Sequence, residues 1–160
     1  MNEFVKVEVD YTAIVNAFEL VTNNSWKKHS GNLNCSDWMT MREFRTIGFT
    51  TARQTGKLQW LVDFVASKPF GEVVCLFKDD KIQRVATARY NQKTNQQTII
   101  PHVPARMHDW FPTDTTTYER FNVKYVVVDE SQFTLPKNRM SFYKWVHEKF
   151  GESTLIILVD

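Results

Sequence analysis

The sequence predicts a single three-layer α/β domain: a mostly parallel sheet of about 4–5 strands with helices on both faces. Three observations lead there. Short apolar runs at 44–50, 72–77, 124–128 and 154–159 have the character of strands buried on both sides. Helical-period segments at 58–67 and 141–150 fall between them, so the core alternates strand, helix, strand, interlude, strand, helix, strand. A chain of 160 residues, 42% hydrophobic and 24% charged, is long enough to bury one real core.

The elements follow in order. Residues 4–9 alternate, with Val5, Val7 and Val9 on one face and Lys6 and Glu8 on the other, as in an edge strand. Asp10 is placed to cap a helix whose apolar stripe is Ile14, Ala17, Phe18 and Val21. Residues 1–43 are expected to pack on the core as this strand and helix. The 29–37 stretch, rich in Ser, Asn and Gly, reads as a loop, after which Asp37 caps a short turn through Trp38 and Met41. The first core strand is expected at 44–50. A loop over 51–57 leads into a helix that carries Leu58, Leu61, Val62 and Val65, with Trp60 and Phe64 widening its face. Lys68-Pro69 and Gly71 end it.

The middle of the chain is less regular. Residues 82–90 fit either a short helix or a strand, 91–97 a polar turn, and 98–100 a strand, before Pro101 and Pro104. Residues 114–117 form a polar loop, and 118–121 fit a helical turn. The helix over 141–150 presents Phe142, Trp145, Val146 and Phe150 and stops at Gly151.

Composition narrows the function. A formal net charge of +2 excludes a global basic field for nucleic acid. Cys35 and Cys75 have no metal or redox spacing, and Cys75 lies in an apolar strand as a small core residue. The four histidines are scattered and give no zinc framework. No leader and no apolar run of about 18 residues is present, so a cytoplasmic location without membrane contact is expected.

Two segments carry chemistry. Thr51-Ala52-Arg53-Gln54-Thr55-Gly56-Lys57-Leu58 sits between a strand and a helix. A Gly-Lys at such a turn cradles phosphates, because backbone N–H groups and the helix N-terminus point at the anion. The other reading is a tight turn that needs glycine, with an exposed lysine beside it. Tyr125-Val126-Val127-Val128-Asp129-Glu130 is an apolar strand ending in two acids, which can hold Mg²⁺ and orient a water, or can be two solvated carboxylates opening a loop.

Together these segments resemble the P-loop NTPase core, in the branch with an added strand between the loop strand and the acidic strand. Within it, Ala52-Arg53-Gln54-Thr55-Gly56-Lys57 and Val126-Val127-Val128-Asp129-Glu130 are most similar to the ATPase domain of viral DNA-packaging motors, the large terminase subunits, and to helicases. The resemblance spans roughly residues 44–160. It implies that Gln54, Thr55 and Gly56 offer backbone N–H groups to ATP and that Lys57 contacts the β- and γ-phosphates. Arg53 stabilises charge, Asp129 holds Mg²⁺ and Glu130 polarises the attacking water. It also implies that Lys57 and Asp129 stand on one rim, at the carboxyl ends of neighbouring strands.

The phosphate loop is degenerate. Thr51 stands where the first glycine is usual, and Leu58 where a Ser or Thr would ligate the metal. The expected function is therefore a viral ATPase-like protein with weak ATP and Mg²⁺ binding and impaired hydrolysis, its localisation then the host cytoplasm. Two other functions stay open. One is a non-catalytic interaction protein that kept the fold and binds a motor or a host nucleic-acid enzyme. The other is a nucleic-acid-binding module using Arg106, His108, Trp110, Phe111 and Arg120 within 102–120. Because the sequence ends just after the 154–159 strand, that strand is expected to leave an open edge. Phe142, Trp145 and Phe150 would then anchor a protein partner or a homo-oligomer; the alternative is that the strand at 4–9 covers it.

Overall fold

The computed structural model describes residues 9–50, 56–104 and 121–160. Residues 4–8 of the expected strand, the loop residues 51–55, the polar loop at 114–117, residues 118–120 of the expected helical turn and most of the proposed nucleic-acid surface lie outside them; Val9 is not in a strand. The chain is α/β. Helix α1 (Tyr11–His29) is followed by a 3₁₀ turn, α2 (Asp37–Phe44), β1 (Thr46–Phe49), α3 (Lys57–Ala66), β2 (Val73–Leu76) and α4 (Asp80–Thr94). Then come β3 (His102–Val103), β4 (Tyr125–Asp129), a short α5 (Ser131–Thr134), α6 (Met140–Phe150) and β5 (Leu155–Val159). The five strands form one sheet in the order β1-β5-β4-β2-β3. Every pairing is parallel.

The inner strands β2, β4 and β5 are short, apolar and covered on both faces, as buried parallel strands are, while the edge strands β1 and β3 are partly exposed. Alternate residues divide between two cores. Val73, Cys75, Val127, Leu155, Ile157 and Val159 face α1, α3 and α4. Val74, Leu76, Val126, Val128, Ile156 and Leu158 face α2 and α6. This two-residue alternation is the pleat expressed as burial. Among the described residues no helix is long and apolar enough to cross a membrane.

Local signals explain most boundaries. The Asp10 carboxylate accepts the Ala13 N–H at 2.9 Å, which fixes the start of α1. Asp79 caps α4 in the same way through Ile82, also at 2.9 Å. Gly71 takes φ 87°, and a Cβ there would lie 2.6 Å from the Phe121 ring, so only glycine fits this turn.

Several expectations are corrected. The buried residues of α1 are Tyr11 and Val15, whereas Phe18 and Val21 are exposed and Ala17 faces solvent. The helix is rotated because polar residues take part of its inner face. Glu19 accepts the Tyr125 hydroxyl at 2.9 Å, and Asn23 accepts Arg45 at 2.9 Å. A stripe drawn from apolar residues alone misses a face held by hydrogen bonds. Phe44 ends α2 rather than opening a strand, and β1 begins at Thr46, whose hydroxyl bonds to the Met41 carbonyl at 2.8 Å. Asp37 is the first residue of α2, with Ser36 at the capping position and His147 3.7 Å from its carboxylate.

The ambiguous 82–90 segment is part of the longer α4, which absorbs half of the expected polar turn and ends where Asn95 turns left-handed at φ 54°. The strand expected at 98–100 forms instead at His102–Val103, which pairs with Cys75 and Leu76 of β2.

The largest correction concerns β5. It is central, hydrogen-bonded to β1 on one side and β4 on the other. It therefore has no free edge to offer a partner or the 4–9 segment. Trp145 and Phe142 are 3% and 0% exposed, buried against the sheet, so neither anchors a protein contact. A parallel sheet grows by crossovers, and a strand late in the sequence can enter the middle as easily as the edge.

Candidate functional site

The carboxyl ends of β1, β5 and β4 lie side by side, because Phe49 is in register with Val159 and Val159 with Asp129. In an open parallel sheet this edge, beyond the strand ends, is where ligands bind. Three segments reach it: the start of α3, the Asp129-Glu130-Ser131 turn, and Asp160 just past β5.

Gly56 caps α3 with φ 82°, ψ 18°. Its Cβ position is open space, so glycine is required by conformation and not by crowding. The helix begins at Lys57, and its first intrahelical bond here runs from Trp60 N–H to the Gly56 carbonyl at 2.9 Å. Gly56 has no side chain to cap this end. The first turn of α3 thus presents N–H groups without intrahelical partners and the positive end of the helix dipole. Lys57 is half-buried and Leu58 packs against the core that lies under α3.

Asp129 ends β4 with only 6% of its surface exposed. Its carboxyl is pushed up to about 6, first by burial and then by the neighbouring charge of Glu130, with Asp160 adding in the same direction. Lys57 and the Glu130 backbone N–H pull it the other way. The influence of Lys57 on Asp129 joins the two sequence motifs in one electrostatic unit. Glu130 adopts φ 46°, ψ 58°, a left-handed conformation uncommon for a residue with a Cβ. That kink turns the chain from β4 into α5 and sends the Glu130 side chain to within 3.7 Å of Lys78. Both partners are about half exposed, so the pair orients Glu130 more than it stabilises the fold.

Asp160 was missed by sequence reasoning. Its carboxylate accepts the Ser131 hydroxyl at 2.7 Å and the Gln132 backbone N–H at 2.9 Å. Its own N–H donates to the Phe49 carbonyl at 3.1 Å. One residue thus ties the end of the loop strand to the acidic turn. An acid following an apolar strand was the available signal, the same one that marked Asp129.

Gly56, Lys57, Leu58, Gln59, Ile82, Arg89, Asp129 and Glu130 line one cleft of about 240 Å³. Lys57 and Asp129 therefore share a rim, as expected, but their strands are not neighbours: β5 stands between β1 and β4. Arg53, Gln54, Thr55 and Thr51 lie outside the described residues. For Mg²⁺ the donors are sparse. Asp160 is committed to Ser131 and Gln132, Glu130 pairs with Lys78, Leu58 has no side-chain oxygen, and Asp129 accepts the Glu130 backbone N–H. Among the described residues no group of three or more His, Cys, Asp or Glu is arranged to hold a metal ion. Comparison of the chain with protein families, with curated proteins and with solved structures finds no match.

Proposed function

We propose that this chain is a P-loop-type, ATPase-like domain, akin to viral DNA-packaging motors and helicases, that binds ATP weakly and hydrolyses it poorly. The observation that supports this most is the shared cleft: Gly56-Lys57 at the start of α3 and Asp129-Glu130 at the end of β4 meet at the carboxyl edge of a parallel sheet. The strand inserted between them, β5, also agrees with the added-strand arrangement that the motifs resemble.

In this reading the first turn of α3 and Lys57 hold the phosphates. Asp129 would hold Mg²⁺ together with waters, and Glu130, freed from Lys78, would orient the attacking water. Bound Mg²⁺ would supply charge neutralisation at the phosphates. Weak turnover follows from Leu58, which replaces a metal-ligating oxygen with a side chain packed on the core. The same observation favours a second reading, an interaction protein that kept the fold without the chemistry and binds a motor or a host nucleic-acid enzyme.

Thermal melting with ATP and Mg²⁺ separates the two. ATP at about 100 times its dissociation constant adds about 2.7 kcal/mol to the stability. For a domain of this size that raises Tm by about 5–11 °C. Lys57→Ala abolishes the shift under the ATPase-like reading. No shift in the wild type at millimolar ATP would leave the interaction reading.

A further inference from the structure

A second cleft, of about 460 Å³, lies between α2 and the start of α6 and shares no lining residue with the first. Trp38, Arg42, Lys137, Asn138, Arg139, Met140 and Tyr143 line it. Three of these are cations and none is a carboxylate. Arg42 is engaged by the neighbouring Glu43, its Nε donating at 2.7 Å. That bond fixes its guanidinium 5.0 Å from the centre of the Trp38 ring. Trp38 in turn rests against the core beneath α2 and α6. The result is a held cation–ring pair on one wall.

The opposite wall carries free charge. Among the described residues neither Lys137 nor Arg139 makes an ion pair; Arg139 reaches only the Ser131 carbonyl and hydroxyl, at 3.4 Å each. Asn138 accepts the Met140 N–H at 3.1 Å and so fixes the loop that carries both cations to the start of α6. The helix dipole adds to their field there.

We propose that this cleft binds one nucleotide unit, with its phosphate on Lys137 and Arg139 and its base on the Trp38–Arg42 pair. A ring platform beside unpaired cations is the combination that recognises a base and its phosphate together, since every base has a face to stack and stacking tolerates sequence. The volume falls in the range of pockets that enclose one small ligand. Its source is either a free nucleotide or one unit of a single strand.

The test uses the full chain in fluorescence anisotropy with a short labelled oligothymidylate at low salt, and adenosine monophosphate as competitor. Binding is expected. The double variant Lys137→Gln/Arg139→Gln weakens it on the order of tenfold or more, because two charge-assisted hydrogen bonds are lost. It also lowers the salt slope of strand binding by about 0.7 for each phosphate contact removed. Trp38→Leu costs roughly five- to a hundred-fold through lost stacking. Lys57→Ala leaves binding unchanged, which separates this site from the cleft at Asp129. Competition by the monophosphate identifies a free nucleotide as sufficient; binding of the strand alone assigns the unit to a polymer. The proposal is overturned if neither probe binds at low salt, if the double variant binds as wild type, or if Lys57→Ala abolishes binding while the double variant does not.

Discussion

Replacing Asp129 by asparagine should stabilise the protein at neutral pH. Asp129 is buried at the end of β4, and its carboxyl rises from an ordinary 3.8 to about 6. The folded chain therefore holds more protons than the unfolded chain across this window. The protonated form favours the fold, its benefit is fully present below about pH 4, and it is lost as pH rises through about 6. A rise of about 2 in pKa corresponds to about 3 kcal/mol of ionisation cost carried by the wild type at pH 7.5. Asp129→Asn removes that cost, and its side-chain oxygen can still accept the Glu130 backbone N–H that the carboxylate accepts.

Urea unfolding followed by tryptophan fluorescence, from pH 4 to 8, measures the difference. The two proteins should have nearly equal stability at the acid end. The variant should gain steadily and lead by up to about 3 kcal/mol above pH 7, or about 6–12 °C in Tm. Comparing the two chains cancels the titrations of groups that do not interact with Asp129. The reasoning is refuted if the difference does not change with pH, or if the variant is the less stable protein at pH 7.5. Under the proposed function the same variant loses the Mg²⁺-dependent part of ATP binding, so stability and ligand response should move in opposite directions.

Other outcomes follow from named residues. Leu58→Thr should strengthen the Mg²⁺-dependent part of nucleotide binding, read as a larger ATP-induced melting shift, at a cost of about 1 kcal/mol from lost apolar contact. Gly71→Ala combines a left-handed backbone with a methyl group driven into Phe121; chemical denaturation should show a loss of about 2–5 kcal/mol. Trp145→Ala should cost about 3–5 kcal/mol in the same assay without changing the molecular mass by light scattering, because the ring fills the core and not an interface.

The chain's strands were legible because burial on both faces leaves a continuous apolar run, as in 72–77 and 124–128. Their partners were not. Nothing local distinguishes β5 as a central strand from β5 as an edge, since Leu155–Val159 would read the same in either place. Gly56-Lys57 and Asp129-Glu130 were visible as motifs because phosphate and metal chemistry demands those residue types. Asp160 was not, because its role depends on Ser131 and Gln132 reaching it across 29 and 28 residues. The face of α1 failed for a related reason. Glu19 and Asn23 are inward because Tyr125 and Arg45 are there to meet them, and those partners come 106 and 22 residues later.

The central place of β5 has a kinetic consequence. β1 joins the sheet only through it, so the loop strand and the acidic strand are linked by the strand that comes last of the five in sequence. Arg45 marks the span: its guanidinium donates to the Ser153 carbonyl, 108 residues away, just before β5 begins. Contacts this distant in sequence repay their loop-closure entropy only late in folding. Until β5 docks, the β4-β2-β3 sheet exposes the unpaired inner edge of β4 and β1 has no strand partner, and such edges are sites where chains associate wrongly. Refolding should therefore be slow for a domain of this size and sensitive to protein concentration, and substitutions at Ile156 or Ile157 should depress its rate as well as its final stability.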